Sequence, residues 1–173
     1  MDTVVLRPPY IWGAGMTTVV EMADLARAGG WMWIDRGRHV MDFIHVDNLA
    51  AAAELALTRG RPDGIYYITD ATPIPIRDFM TPLLATQGVD VSQARSVPLG
   101  VAAPLAAVLD RGARLLRRPK PPMLTNWLVT FLGHDRSYDI TAARRDLGYT
   151  AYVTLAQGLT EMTPAQSVTD RSG

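Results

Sequence analysis

Apolar positions over the first ninety residues switch repeatedly between strand-like and helix-like spacing. Residues 3–7 form a β-branched apolar run closed by Pro8 and Pro9, which predicts a buried strand leaving its sheet into a loop. Across residues 17–28, Val19, Met22, Leu25 and Ala26 share one helical face and Gly29-Gly30 stops the pattern, so a helix is predicted there. Residues 31–34 predict a short strand, Arg36-Gly37-Arg38 a turn, and residues 40–46 another strand. Asp47 suits the N-cap of a helix over residues 48–58, because its carboxylate can accept from free backbone N–H groups. Residues 65–69 predict a strand, 70–75 a loop, and 76–86 an amphipathic helix ending at Gly88 in spite of Pro82. This strand–helix alternation predicts an α/β architecture with parallel pairing.

The character changes after Pro98. Residues 101–116 predict an apolar helix carrying Asp110, Arg111 and Arg114 on one side, and the proline-rich residues 117–122 then break the chain. Thr141 is placed to cap a helix over residues 142–147 that ends at Gly148. Thr154 and Gln157 have the spacing of a capping box for the last helix. The polar tail, residues 164–173, is expected to fray.

Composition narrows the classes. A chain of 173 residues is long enough to bury roughly 70% of its unfolded surface in one core. Lys plus Arg equals Asp plus Glu, so no overall basic field draws in nucleic acid. Without cysteine, there is no disulfide framework and no thiolate zinc site. The N-terminus lacks the apolar core of a signal peptide, and no apolar run reaches the roughly 20 residues of a membrane span. The expected location is the cytoplasm. Lys120 is the single lysine against sixteen arginines, so any mechanism that needs a lysine has one candidate.

Few motifs carry chemistry by themselves. Gly13-Ala14-Gly15 lies between a strand and a helix, but Thr18 stands where a dinucleotide loop needs its third glycine. A turn is the simpler reading. His39, His45 and His134 match no zinc spacing, so no metal site is expected. Residues 101–116 with the basic residues after them predict a helix packed over a pocket or in an oligomer interface, with peripheral membrane contact as the other option. From the residues alone the chain is an α/β piece with a ligand cleft.

Four segments in order resemble the C-terminal half of extended short-chain dehydrogenases/reductases, the epimerase/dehydratase superfamily. They are residues 4–13 (VVLRPPYIWG), 42–50 (DFIHVDNLA), 66–73 (YYITDATP) and 138–149 (YDITAARRDLGY). The second and third most resemble the 3β-hydroxysteroid dehydrogenase/isomerase branch. Nucleotide-sugar epimerases usually carry arginine where Met41 stands, and methionine suits an apolar ligand rather than a diphosphate. The resemblance implies the C-terminal part of a Rossmann-type fold with a small substrate-binding subdomain, in one partial domain spanning residues 1–173. Residues 3–88 would hold the last Rossmann strands and helices with part of the substrate lobe, and 89–163 the rest of that lobe. It implies that Pro8, Pro9, Tyr10 and Ile11 pass beside the nicotinamide of NAD or NADP, and that Trp12 and Met41 wall a pocket for a small apolar substrate.

The resemblance also implies an absence. Such enzymes use a tyrosine with a lysine four residues later, and none of the six tyrosines here has one. No catalytic residue is therefore assigned, and the chain alone is expected to be inactive. The expected function is that of a partial NAD(P)-dependent oxidoreductase acting on a hydroxysteroid-like secondary alcohol or ketone, with the cofactor-binding and Tyr-Lys catalytic half missing. A non-catalytic binding remnant and a nucleotide-sugar epimerase fragment are the rival expectations. Strands lacking their sheet partners would expose apolar edges, so poor stability or self-association is expected.

Overall fold

The computed structural model describes residues 3–115 and 126–163. The proline-rich break and the polar tail lie outside the described residues. Strands and helices alternate: β1 (Val5–Arg7), β2 (Tyr10–Trp12), α1 (Thr18–Arg27), β3 (Trp33–Ile34), β4 (Val40–Met41), β5 (Phe43–His45), α2 (Val46–Arg59), β6 (Ile65–Tyr67), β7 (Ile74–Pro75), α3 (Ile76–Ala85), β8 (Ser96–Val97), α4 (Leu99–Leu115), α5 (Asn126–Leu132) and α6 (Leu155–Met162). Three strand pairs are parallel, β1–β6, β2–β5 and β3–β8, and β4–β7 is antiparallel.

Several elements depart from the expectation for local reasons. Residues 10–12 form a strand, because only Pro8 and Pro9 lack N–H groups and the next three residues pair with 43–45. The strand expected over 40–46 divides at Asp42. Before it the chain pairs with Ile74–Pro75, after it with Tyr10–Trp12, and at the break the Asp42 N–H donates to the Arg136 carbonyl at 3.0 Å. Helix α2 begins at Val46, and its cap is His45, whose Nδ1 accepts from the Asp47 N–H at 3.3 Å. Asp47 is thus inside the first turn, where its charge favours the helix dipole. Thr141 likewise does not cap its helix: the Asp139 carboxylate accepts from the Thr141 N–H at 2.8 Å, and residues 143–147 form a wide π-type turn ended by left-handed Gly148. The capping box of Thr154 and Gln157 is present.

Side chains on β5 divide the core, since neighbours on a strand face opposite ways. Phe43 joins Trp12, Phe79, Leu83 and Leu84 on one side, and Ile44 joins Ala52, Tyr66, Ile68 and Leu147 on the other. A smaller cluster packs Ile34 against Ala102, Ala106 and Val129, so α4 and α5 cover β3. Outside that contact α4 leaves Val101, Leu105 and Val108 exposed, and the paired strands β1 and β6 expose Val5 and Ile65. No helix among the described residues is long and apolar enough to cross a membrane.

Candidate functional site

The segments that carry the resemblance meet at one polar centre. The Asp70 carboxylate accepts from Trp12 Nε1 at 2.9 Å, from the His45 N–H at 2.9 Å and from Asn48 Nδ2 at 2.7 Å. Asn48 is fully buried; its amide also donates to the Val153 carbonyl at 2.9 Å, and its oxygen accepts from the N–H groups of Tyr152 and Val153. The Tyr149 hydroxyl donates to the Thr69 carbonyl at 2.9 Å. Burial, with the nearby Asp70 charge, pushes this hydroxyl above the ordinary phenol range. Polar groups this far from water require such partners, so β2, β5, α2 and the end of β6 are fixed to one another here.

Two cavities adjoin this frame. The larger, about 310 Å³, is lined by apolar side chains including Met22, Leu25, Trp31, Trp33, Ile76 and Met80. The smaller, about 200 Å³, is lined by Pro9, Met41, Asp42, Arg136 and Tyr138. Tyr10 and Phe131 wall both. The structure therefore brings Pro9, Tyr10 and Met41 together. Ile11 instead projects outward with 44% exposure, and Trp12 is 1% exposed, with its ring against His45 and Phe79 and lining neither cavity. Pro8 lines neither cavity and is half-buried. Residues 31–34, α3 and Arg136 enter the cavity walls without any motif that marks them in sequence.

Asp42 is buried beside the smaller cavity, its carboxylate accepting from the Tyr138 N–H at 2.7 Å. Desolvation is the main cause that raises its pKa; the Tyr138 and Thr69 bonds lower it, and the Asp70 charge adds to the rise. A carboxyl with a raised folded pKa stabilises the fold most below its unfolded value and loses that contribution as pH climbs through the folded one. Wild-type protein is therefore expected to gain stability from this group on acidification just above the ordinary carboxylate range. Asp42→Asn should remove that gain, as urea unfolding at several pH values would show. An identical pH profile in the variant would contradict the assignment.

Tertiary packing also places carboxylates near a histidine. Ligand-type atoms of His45, Asp47 and Glu161 lie within 4.8 Å of one another. Because Nδ1 accepts from a backbone N–H, a neutral His45 ring carries its proton on Nε2, which has no hydrogen-bond partner and lies 3.8 Å from Glu161. A cation at Nε2 would have to displace that proton. Gly13, at φ 137°, turns close over this ring, and a Cβ there would come within 2.8 Å of Val46. Gly13 and Gly15 thus belong to a turn in which the Met16 N–H donates to the Gly13 carbonyl at 3.3 Å, and of the two only Gly13 abuts His45.

Residues 1–99 match the 3-beta hydroxysteroid dehydrogenase/isomerase family. The chain is 35% identical over 159 residues to 4-hydroxy-2-methyl-3-oxo-4-farnesyl-3,4-dihydroquinoline-1-oxide ketoreductase of Stigmatella aurantiaca, covering 91% of this chain and 47% of that protein. It is 32% identical over 165 residues to 2-alkyl-3-oxoalkanoate reductase of Stenotrophomonas maltophilia, covering 92% and 50%. The chain spans about half the length of the curated relatives it matches. UDP-glucuronic acid 4-epimerase from Bacillus cereus, solved in complex with NAD, superposes with a TM-score of 0.59 at 14% identity, over 94% of this chain and 45% of that one. That likeness shows the fold, the Rossmann-type α/β architecture of the extended short-chain dehydrogenases. With residues 1–99 matched and the segments 4–13, 42–50 and 66–73 locked together around Asp70, the chain belongs to the 3-beta hydroxysteroid dehydrogenase/isomerase family.

Proposed function

We propose that this chain supplies the substrate side of an NAD(P)-dependent oxidoreductase that interconverts a secondary alcohol and a ketone on an apolar small molecule. The carrying observation is that Tyr10, on the segment the resemblance sets beside the nicotinamide, walls a cavity of about 310 Å³ with an apolar lining. A preformed apolar cleft with few polar groups is the usual form of a small-molecule site. Two relatives support the same class, since one is named as a ketoreductase of a farnesyl-bearing compound and the other as a reductase of alkyl oxoalkanoates.

The residues present fit the nicotinamide end of the cofactor. Pro8 and Pro9 offer a rigid surface with no backbone donor, and Ile11 is exposed beside them. They do not fit its pyrophosphate, because Gly13 is closed over by His45 and Val46 and Thr18 replaces a third glycine. When bound, the nicotinamide would supply or accept hydride. This chain's part is then to hold the substrate: Tyr10 bounds it in the larger cavity, Met41 walls the adjoining smaller one, and Trp12, anchored by Asp70, fixes the strand that carries Tyr10. Val5 and Ile65, partners across the β1–β6 pair, share one exposed apolar face, which supports a reading in which further structure covers that face.

The test is to add 2-tridecanone to the chain with NADH or NADPH, following tryptophan fluorescence and absorbance at the reduced-nicotinamide band. Trp31 and Trp33 line the cavity, so saturable quenching without turnover is expected. Turnover by this chain alone would overturn the assignment of the redox step to residues outside it, and absence of quenching would overturn the apolar site.

A further inference from the structure

We propose that His45, Asp47 and Glu161 build a site for one zinc-type divalent cation, in which the ion joins Nε2 of His45 to the Glu161 carboxylate. Ligand-type atoms of the three residues lie within 4.8 Å of one another. The observation that singles out this cluster is His45 Nε2. It is fully buried, has no hydrogen-bond partner among the described residues and lies 3.8 Å from Glu161 Oε2. That gap is too long for a hydrogen bond. It suits a bridging ion: zinc bonds of about 2.1 Å to nitrogen and to oxygen place the two donors about 3.4 Å apart in a tetrahedral site and at most about 4.2 Å apart.

Two glycines keep this edge of the ring from being filled. A Cβ on Gly13 would lie 3.0 Å from Nε2, and one on Gly158 would lie 2.7 Å from the neighbouring Cδ2. Gly158 lets α6 approach the ring through its backbone, and Glu161, three residues on and so on the same helix face, reaches towards Nε2. Charge agrees with a dication. Asp47 and Glu161 carry one negative charge each, and neither pairs with an arginine among the described residues. Both side chains are half-exposed, which opens the remaining coordination positions to water. Binding requires the other tautomer of the ring. Nε2 releases its proton and Nδ1 takes one up, with Asp47 Oδ2, 3.8 Å away, as its acceptor. Asp47 is thereby a positioning residue, the usual role of a carboxylate behind a metal-bound histidine. The exchange costs the 3.3 Å bond from the Asp47 N–H to Nδ1. An imidazole in the donor set favours a zinc-type ion over Mg2+, which takes oxygen ligands. Glu161 comes from the far end of the chain, so no linear spacing announces the set.

Thermal unfolding of the whole chain with Zn2+, and with Mg2+ as the contrasting ion, tests this. Zn2+ at about a hundredfold over its dissociation constant is expected to raise the melting point by roughly 5–10 °C, while Mg2+ leaves it level. Glu161 is half-exposed, so Glu161→Gln should keep the metal-free melting point and abolish the rise. Asp47→Asn should weaken Zn2+ binding about tenfold without abolishing it. His39→Gln, at a histidine outside the site, should leave the rise intact. Nitrogen NMR of the His45 ring reads the site independently of stability: the proton is on Nε2 without metal and on Nδ1 with Zn2+. No response to Zn2+ in wild-type protein overturns the proposal, as does an equal response to Mg2+. A rise that survives Glu161→Gln or is lost in His39→Gln places the ion elsewhere and overturns it too. Should Glu161→Gln fail to fold, the wild-type ring still decides, since an Nε2 proton retained at saturating Zn2+ is incompatible with the site.

Discussion

Asp70→Ala is expected to lower stability by about 4 kcal/mol, because three donors lose one charged acceptor at once. The donors are Trp12 Nε1, the His45 N–H and Asn48 Nδ2, at 2.9, 2.9 and 2.7 Å. A hydrogen bond to a charged group contributes about 1.5–3 kcal/mol, and the sum is trimmed because Asp70 is only half-buried and water can enter. In a chain of this size the loss corresponds to a melting point lower by roughly 8–16 °C. Asp70→Asn keeps one acceptor oxygen and should lose clearly less. Thermal and urea unfolding of both variants measure it. A loss below about 1 kcal/mol in the alanine variant would mean that the polar centre does not hold these elements together.

Phe79→Ala is expected to cost about 4 kcal/mol through the cavity it leaves. Phe79 is fully buried, stacks on Phe43 with ring centres 3.7 Å apart, and meets Trp12 and Tyr10 edge-on at 5.3 and 6.2 Å. Removing the ring takes away the support behind Tyr10, which walls both cavities. The urea midpoint should fall with an unchanged slope, and quenching by 2-tridecanone should weaken in parallel. A stable Phe79→Ala protein with full ligand affinity would show that Tyr10 does not depend on this packing. Asp70 and Phe79 both touch Trp12, so the double variant is expected to lose less than the sum of the two.

Much of the element order was legible because its signals are local. The β-branched run before Pro8-Pro9, the helix stop at Gly29-Gly30 and the capping box at Thr154 and Gln157 each depend on a few adjacent residues. The errors came where two elements share a junction. Asp47 is a sound cap by composition, yet the strand Phe43–His45 runs directly into α2, and the histidine takes the role two residues earlier. The split at Asp42 was equally hidden, because it arises from a change of strand partner and a bond to Arg136, ninety-odd residues onward in the chain. Of the proposed site residues, Pro9, Tyr10 and Met41 meet at one cavity, while Ile11 and Trp12 point elsewhere. Alternation along a short strand explains that divergence: Tyr10 and Trp12 face the core and Ile11 the outside.

The sequence by itself determined the α/β class, most helices and strands, and the family, because periodicity, caps and short motifs are written in neighbouring positions. Tertiary structure alone decided that Asp70 is the shared acceptor, that two cavities meet at Tyr10, and that Arg136 stands beside Met41. Those contacts join residues 58, 22 and 95 or more positions apart. No local preference fixes such pairs; they follow from how buried faces pack and from the need of each buried polar group for a partner.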